Sequence, residues 1–217
     1  MGYSSPYLST PKSMIYQMNI FLAFIANNWI SIIGAIIGLI FLYLEYKANV
    51  WMWAASIVMA AFYIFIFYKT GLYASMCIYI YFFFASIYGW FMWITRNRNE
   101  ETGDEIIIHM QKRYYPFIIG SVLILFVSIY IILIQFGGNP VCITAGDALT
   151  TALNIIALWM MSRKWVEQWL LVIPANALSS GLLFFQHDVM SGILFLIYFI
   201  VSIFGYYKWR KEALSNN

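Results

Sequence analysis

Charged side chains are scarce in this sequence. Only 10% of its 217 residues are Asp, Glu, Lys or Arg, whereas 63% are hydrophobic and 20% are aromatic. A water-soluble domain of this length needs a far larger polar surface, so the composition excludes that class and favours a protein embedded in a lipid bilayer. With so few charges, the formal net charge of +3 gives no indication of nucleic-acid binding.

Patterns of nucleotide-driven or hydrolytic chemistry are also missing. The chain has two histidines and two cysteines, and it contains no Gly-rich phosphate loop, no His-Glu-x-x-His metal motif and no Gly-x-Ser-x-Gly nucleophile motif. We therefore expect no enzyme, no metal site and no cofactor. Cys77 and Cys142 both fall toward the outer side of the predicted membrane map, and a disulfide between them is left open.

Long apolar runs recur along almost the whole chain. About 20 apolar residues let a helix cross roughly 30 Å of hydrocarbon. On this basis we expect seven spans, at residues 29–46, 51–68, 73–95, 116–136, 146–161, 166–185 and 190–207. The fifth is short by this rule. Segments such as "IIGAIIGLIFLYL" are apolar on all sides, which disfavours the alternating strands of a transmembrane β-barrel.

Basic residues are distributed unequally between the two ends of these spans. Lys12 and Lys69 fall on one side, and ten fall on the other: Lys47, Arg96, Arg98, Lys112, Arg113, Arg163, Lys164, Lys208, Arg210 and Lys211. Since short cytoplasmic loops carry the excess of Lys and Arg, we expect a cytoplasmic C-terminus and an external N-terminus. The predicted location is the bacterial inner membrane.

Two octets, "SIYGWFMW" at residues 86–93 and "SIFGYYKW" at residues 202–209, are nearly the same. At the same offset of 116 and without a gap, Lys47 matches Arg163, Trp53 matches Trp169, Ser75 matches Ser191 and Phe83 matches Phe199. Spans one to three are therefore predicted to repeat as spans five to seven, with span four as the connector. Because four crossings separate the halves, they run parallel, as in SWEET-type transporters, whose site lies near the midplane.

The predicted organisation is an all-α polytopic membrane protein with seven transmembrane helices in a parallel 3+1+3 repeat. Residues 1–28 are expected to form an N-terminal interfacial helix, with a cleaved signal peptide as the alternative. Residues 29–95 form the first three-helix repeat, 96–145 a cytoplasmic loop and linker helix, and 146–217 the second repeat with a cytoplasmic tail.

Polar groups inside the predicted spans indicate where a ligand binds, because each costs free energy in lipid unless it faces protein or water. Asn176 and Asn154 reach similar depths, about 16 Å and about 12 Å from the ends at which their spans begin. With nearby hydroxyls and aromatic rings they give the candidate substrate-binding set Trp53, Tyr63, Tyr79, Tyr88, Thr150, Asn154, Trp169, Asn176 and Tyr198.

Each candidate also has a plain structural alternative. A transmembrane Asn commonly bonds a neighbouring helix, and tryptophans near helix ends are commonly interfacial anchors. Glu45 and Asp147 lie near span ends, where we expect solvated caps or partners of loop residues. If the set does form one site, aromatic rings with a few amides and no deep basic group suit a flat ring, above all a cationic one, with a polar tail.

Several blocks of this sequence resemble the PnuC family of vitamin transporters. They are "LEYKANVWMW", "FYKTGLYASM", "SIYGWFMW", "GDALTTALNIIALWMMSRKWVEQW" and "GYYKW", in the family's order and together covering residues 40–210. The resemblance implies a full-length SWEET-like fold and facilitated diffusion of a vitamin, driven by phosphorylation of the substrate inside the cell. Members of the family divide among nicotinamide riboside, thiamine and other nucleoside-like substrates.

Two positions depart from the pattern of nicotinamide riboside carriers. Those members typically carry Trp-x-x-Trp-x-x-x-Asn in span six, where this chain has Trp169, Val172 and Asn176, and a Gln usual in span three is Tyr79 here. We therefore expect a uniporter for thiamine, with nicotinamide riboside as the alternative. A neutral nucleoside or sugar carrier and a ligand-binding receptor are further alternatives, and a homo-oligomer is left open.

Overall fold

The computed structural model describes residues 11–95, 107–136 and 141–215. They form seven α-helices, which are α1 (Pro11–Tyr46), α2 (Trp51–Thr70), α3 (Tyr73–Thr95), α4 (Tyr115–Phe136), α5 (Val141–Ser162), α6 (Trp169–Phe185) and α7 (Val189–Ser215). Short 3₁₀ turns, Lys112–Tyr114 and Val166–Gln168, precede α4 and α6. Within these ranges there is no β-strand, only an isolated parallel bridge between Ile108 and Trp165. The predicted all-α class is confirmed.

Six of the helices in this described part of the chain, α2 to α7, are long and apolar enough to cross a bilayer. The apolar segment Ile32–Tyr46 of α1 is shorter than these six. The predicted fifth span, 146–161, begins too late, because α5 starts at Val141. Ile143 and Thr144 are buried, so packing holds this first turn in the helix although its composition is less apolar.

α1 runs without a break over 36 residues. At 1.5 Å per residue it is about 54 Å long, well beyond the thickness of the hydrocarbon. The predicted boundary at residue 28, between an interfacial helix and the first span, therefore coincides with no helix end. Three segments lie outside the described residues, namely 1–10, 96–106 and 137–140. They include Arg96 and Arg98 and parts of two predicted domains, 1–28 and 96–145.

The helices pack in two groups of three. α1 contacts α2 and α2 contacts α3, while α5 contacts α6 and α6 contacts α7. Between the groups, α1 packs on α7 and α3 packs on α5. Among the described helices, α4 packs on α5 alone. Six helices thus surround one space, and α4 stands outside them.

Four residues with left-handed backbone lie in the turns of these two groups. Ala48 and Lys164 have φ of 53° and 55°, and Gly71 and His187 have φ of 73° and 62°. Such φ values are uncommon for residues other than Gly, and the members of each pair are 116 positions apart. The hydrogen bonds agree as well, since Ala48 N donates to Glu45 O and Lys164 N donates to Met161 O, both at 2.9 Å.

Four fully buried tryptophans, Trp53, Trp93, Trp169 and Trp209, form what we call the tryptophan cluster. Trp53 meets Trp93 edge to face with ring centroids 5.7 Å apart, and Trp169 meets Trp209 in the same way at 5.7 Å. The two pairs join through Trp93 and Trp209, at 6.3 Å. The cluster lies at the end of the bundle where α3, α5 and α7 finish, because Trp93 Nε1 donates to Met161 O at 3.0 Å.

Candidate functional site

A cavity of about 240 Å³ lies between the two groups of helices, and every helix except α4 contributes to its wall. Its polar wall residues are Glu45, Ser56, Tyr79, Asn154, Gln168, Asn176 and Tyr198. Its apolar wall residues are Gly38, Phe41, Leu42, Met59, Ala60, Phe82, Ala157, Leu158, Met161, Val172 and Phe195. Among the residues that the structure describes, the wall therefore contains a carboxylate, three amides and two phenols, and no Lys, Arg or His.

The wall follows the same offset as the sequence repeat. Eight pairs of wall residues are 116 positions apart, namely 38/154, 41/157, 42/158, 45/161, 56/172, 60/176, 79/195 and 82/198. In six of these pairs, one residue is polar and its equivalent in the other half is apolar, as with Asn154 and Gly38, or Glu45 and Met161. The two halves thus contribute equivalent positions but different chemistry to the wall.

Asn176 and Tyr198 form one side of the cavity, where α6 meets α7, and Ser202 links them. Asn176 Nδ2 donates to Ser202 Oγ at 3.0 Å, and Ser202 Oγ donates to the Tyr198 carbonyl at 2.6 Å. The Tyr198 hydroxyl lies against Gly38, where a side chain would leave it no room. Gly38 therefore lets the phenol reach across the cavity to α1.

Tyr79 lies on the other side of the cavity, within a group of aromatic rings. Its ring is 4.9 Å from that of Tyr63 and 5.7 Å, edge to face, from that of Phe82. Tyr63 stands behind it, with its hydroxyl against Gly34. These contacts hold the Tyr79 ring in the wall, where a flat ligand ring can stack on it.

Glu45 and Gln168 form the end of the cavity next to the turns of Ala48 and Lys164. Gln168 Nε2 donates to Glu45 Oε1 at 3.1 Å, and the two residues are 4% and 0% exposed. Glu45 is therefore not a solvated cap, and its partner lies in the turn before α6. Glu45 shares one face of α1 with Gly38, Phe41 and Leu42, and that face lines the cavity.

The structure brings four of the nine predicted site residues into one cavity wall: Tyr79, Asn154, Asn176 and Tyr198. The other five lie elsewhere. Trp53 and Trp169 are in the tryptophan cluster and Tyr63 is behind Tyr79. Tyr88 is 44% exposed on α3, and the Thr150 hydroxyl donates to the Asp147 carbonyl of its own helix at 3.1 Å.

Sequence reasoning missed Glu45, Gln168 and Ser56. A signal for Glu45 was present, because residues 38, 41, 42 and 45 follow the i, i+3, i+4, i+7 spacing of one helix face. Residues 154, 157, 158 and 161, 116 positions later, follow the same spacing and include the predicted Asn154. Applying the repeat offset to Asn154 would have found the α1 face.

Other candidate chemistry is absent from the described part of the chain. Cys77 and Cys142 are free thiols in the structure, so the disulfide left open above is not formed. No group of three His, Cys, Asp or Glu side chains could hold a metal ion among the residues described.

A bundle of apolar helices around an internal cavity of aromatic and polar side chains defines a polytopic membrane protein of the small-molecule transporter class. The sequence pattern of the nicotinamide mononucleotide transporter family matches residues 28–211, and the chain belongs to this family. The predicted PnuC relationship is thereby confirmed.

Individual relatives agree with this assignment. The chain is 22% identical to the nicotinamide riboside transporter PnuC of Escherichia coli (strain K12), over 86% of this chain and 87% of that protein. It is 30% identical to the nicotinamide riboside transporter PnuC of Haemophilus influenzae over a shorter region, 59% of this chain and 55% of that protein. The crystal structure of the vitamin B3 transporter PnuC superposes with a TM-score of 0.70 at 18% identity, covering 100% of this chain and 96% of that one. These relatives are named as transporters, not enzymes.

Proposed function

We propose that this protein is a uniporter that takes up a small cationic vitamin across the bacterial inner membrane by facilitated diffusion. The observation that carries the proposal is the cavity between the two groups of helices, whose described wall residues include one carboxylate, amides and phenols but no basic side chain. Such a wall suits a positively charged ring with a hydroxylated tail and disfavours phosphate or carboxylate groups.

We further propose that all seven helices span the membrane as a parallel 3+1+3 repeat of the SWEET-like type. The turn pairs Ala48/Lys164 and Gly71/His187 support this arrangement, as do the matching tryptophan pairs. So does the exchange of contacts between halves, α1 with α7 and α5 with α3. Two similar halves around one cavity can rock against each other and expose it to either side in turn.

Nicotinamide riboside is the substrate that we propose, because the PnuC relatives are named as its transporters. The expectation of thiamine receives no support from the relatives. Thiamine is nevertheless the second candidate, for a specific reason. Val172 and Tyr79, the two positions that depart from the pattern of nicotinamide riboside carriers, both line the cavity. A changed wall at those points can accept a different flat cation.

Transport by the purified protein in liposomes tests the proposal. We expect labelled nicotinamide riboside to equilibrate across the membrane without nucleotide or a proton gradient. Asn154→Leu should slow uptake, because it removes an amide from the cavity wall. Thiamine taken up in preference to nicotinamide riboside would favour the second candidate. Accumulation above the external concentration, in vesicles that contain no kinase, would contradict facilitated diffusion.

A further inference from the structure

Glu45 carries the one carboxylate that the described part of the chain contributes to the cavity wall. Glu45 is only 4% exposed. Removing a carboxylate from water costs free energy that a partner of opposite charge or several hydrogen bonds must offset. Some group must therefore offset the cost of burying the Glu45 carboxylate when the substrate is bound.

The partners in the protein do not neutralise the charge. The carboxylate accepts a hydrogen bond from Gln168 Nε2, an uncharged donor, at 3.1 Å. The other end of that amide, Gln168 Oε1, is buried without a hydrogen-bond partner. The amide thus holds the carboxylate in place but supplies no positive charge.

Nearby basic side chains in the described ranges are engaged elsewhere. Lys208 Nζ donates to the Tyr46 carbonyl at 2.9 Å and lies 3.4 Å from Glu212 Oε1. The Lys47 ammonium lies over the Tyr43 ring, 4.9 Å from its centroid. Lys164 Nζ lies over the Trp93 ring at 4.5 Å. None of these contacts places a cation on Glu45.

We infer that Glu45, held by Gln168, is the counter-ion for the positively charged ring of the substrate and determines the preference for a cation over an uncharged ligand of the same shape. The inference rests on the proposed function and adds to it a residue that selects by charge. It makes Glu45 a specificity-determining residue, in direct contact with the bound ring.

The geometry also fixes which end of the ligand meets Glu45. Seven residues of α1 separate Glu45 from Gly38, about 10.5 Å along the helix axis. The Tyr198 hydroxyl lies against Gly38, and Asn154 is the wall residue equivalent to Gly38 in the second half. The position equivalent to Glu45 is Met161, which carries no charge. A ligand therefore places its cationic ring toward Glu45 and its hydroxyl groups toward Tyr198 and Asn154.

Pairs of cationic and uncharged ligands test this inference. Benzamide riboside is the uncharged isostere of nicotinamide riboside, and 3-deazathiamine is that of thiamine. We would measure dissociation constants for both pairs on purified protein. For whichever cation binds, we expect the wild type to prefer it by about 10-fold or more, the lower end of the range for one close charge pair. In Glu45→Gln this preference should fall about tenfold or more, while Glu45→Asp, which keeps the charge, should retain most of it.

Asp147→Asn is the matched control, because Asp147 is a half-buried acid of α5 that does not line the cavity. It should leave the ratio of the two affinities unchanged. A wild type that binds the cation without preference over its uncharged isostere overturns the inference, even if Glu45→Gln fails to fold. An unaltered ratio of the two affinities in Glu45→Gln, including equal weakening of both ligands, also overturns the inference but leaves the proposed function standing. A wild type that binds neither cation contradicts the proposed function and the inference with it.

Discussion

Trp169 is fully buried in the tryptophan cluster and does not line the cavity. Its ring packs against Trp209 and against Gly205, where a Cβ would meet the indole. We therefore expect Trp169→Ala to destabilise the protein by about 3–5 kcal/mol, the usual cost of removing a buried aromatic ring. Substrate affinity of the folded fraction should persist. Thermal unfolding and the dissociation constant, measured on the same purified variant, check this.

Asn154→Leu provides the opposite pattern and serves as the control for Trp169→Ala. Asn154 lines the cavity, so its loss should weaken substrate binding by about tenfold, the value of one good hydrogen bond. Its effect on unfolding of the ligand-free protein should be small. If Trp169→Ala lost affinity without losing stability, the indole would belong to the binding site, as the sequence first suggested.

The residue scale also shows why a helix face is a weak guide to a site. The spacing of Trp169 and Asn176 on α6 places both on related faces, and both are buried. Their neighbours differ, because Trp169 meets α7 at Gly205 whereas Asn176 lies at the cavity. The sequence of one helix shows which of its residues share a face, but it does not show which side chains of a neighbouring helix pack against that face.

Close helix packing within each half depends on Gly89 and Gly205. A Cβ at Gly89 would meet the Trp53 ring, and one at Gly205 would meet the Trp169 ring. Both rings are fully buried and have little room to move. We expect Gly89→Ala and Gly205→Ala each to destabilise the protein by about 1–3 kcal/mol through overpacking, measured by thermal unfolding.

Gly120 and Gly181 are the matched controls for this prediction. A Cβ at either position would meet nothing within 4 Å. Replacement by Ala in a helix should there be neutral or stabilising by up to about 1 kcal/mol. Equal losses in all four variants would show that helix flexibility, not contact with the tryptophans, sets the result.

The connector before α4 is attached to the turn before α6 by Glu167. Its carboxylate accepts hydrogen bonds from the Met110 backbone N–H at 2.7 Å and lies 2.9 Å from His109 Nδ1. Glu167→Ala leaves the buried Met110 N–H without its acceptor, so we expect a loss of about 1–3 kcal/mol. Hydrogen exchange should rise at residues 107–111.

Glu212→Ala is the control for the Glu167 variant. Glu212 pairs with Lys208 one turn away, and its side chain is 41% exposed. Such exposed pairs contribute little, so stability should change by less than about 0.5 kcal/mol. Unchanged exchange at residues 107–111 in Glu167→Ala would mean that the Ile108 bridge alone holds the connector.

At the scale of elements, hydropathy predicted the helices well because each span must satisfy its backbone hydrogen bonds within itself. The predicted ranges 51–68 and 73–95 match α2 and α3 closely. The failures have physical reasons. α5 begins earlier because tertiary packing buries Ile143, and α1 continues across residue 28 because residues 12–31 contain no Gly or Pro that would interrupt a helix.

At the scale of the whole molecule, the repeat offset gives more information about the site than any motif does. It relates eight pairs of wall residues, and it relates the turns of Ala48 and Lys164. A cavity at the meeting of two similar halves could therefore be predicted from the sequence. The sequence also shows which pairs differ in polarity. Glu45 was nevertheless not predicted as a site residue, because a carboxylate near a span end usually reaches water. In the structure its side chain is buried and accepts a hydrogen bond from Gln168, in the turn before α6.

Orientation in the membrane is the last whole-molecule property that we predict. Lys47, Lys164 and Lys208 belong to the end of the bundle that contains the tryptophan cluster, since Lys208 Nζ donates to Tyr46 O and Lys164 lies over Trp93. The positive-inside rule places this end in the cytoplasm.

Cys142, an exposed free thiol in the first turn of α5, then lies at the outer surface. In a Cys77→Ser background, an impermeant maleimide should label Cys142 in intact spheroplasts. A thiol introduced by Lys211→Cys, with both native cysteines replaced by Ser, should react only after permeabilisation. The reverse pattern would place the N-terminus inside and contradict the orientation derived from the basic residues.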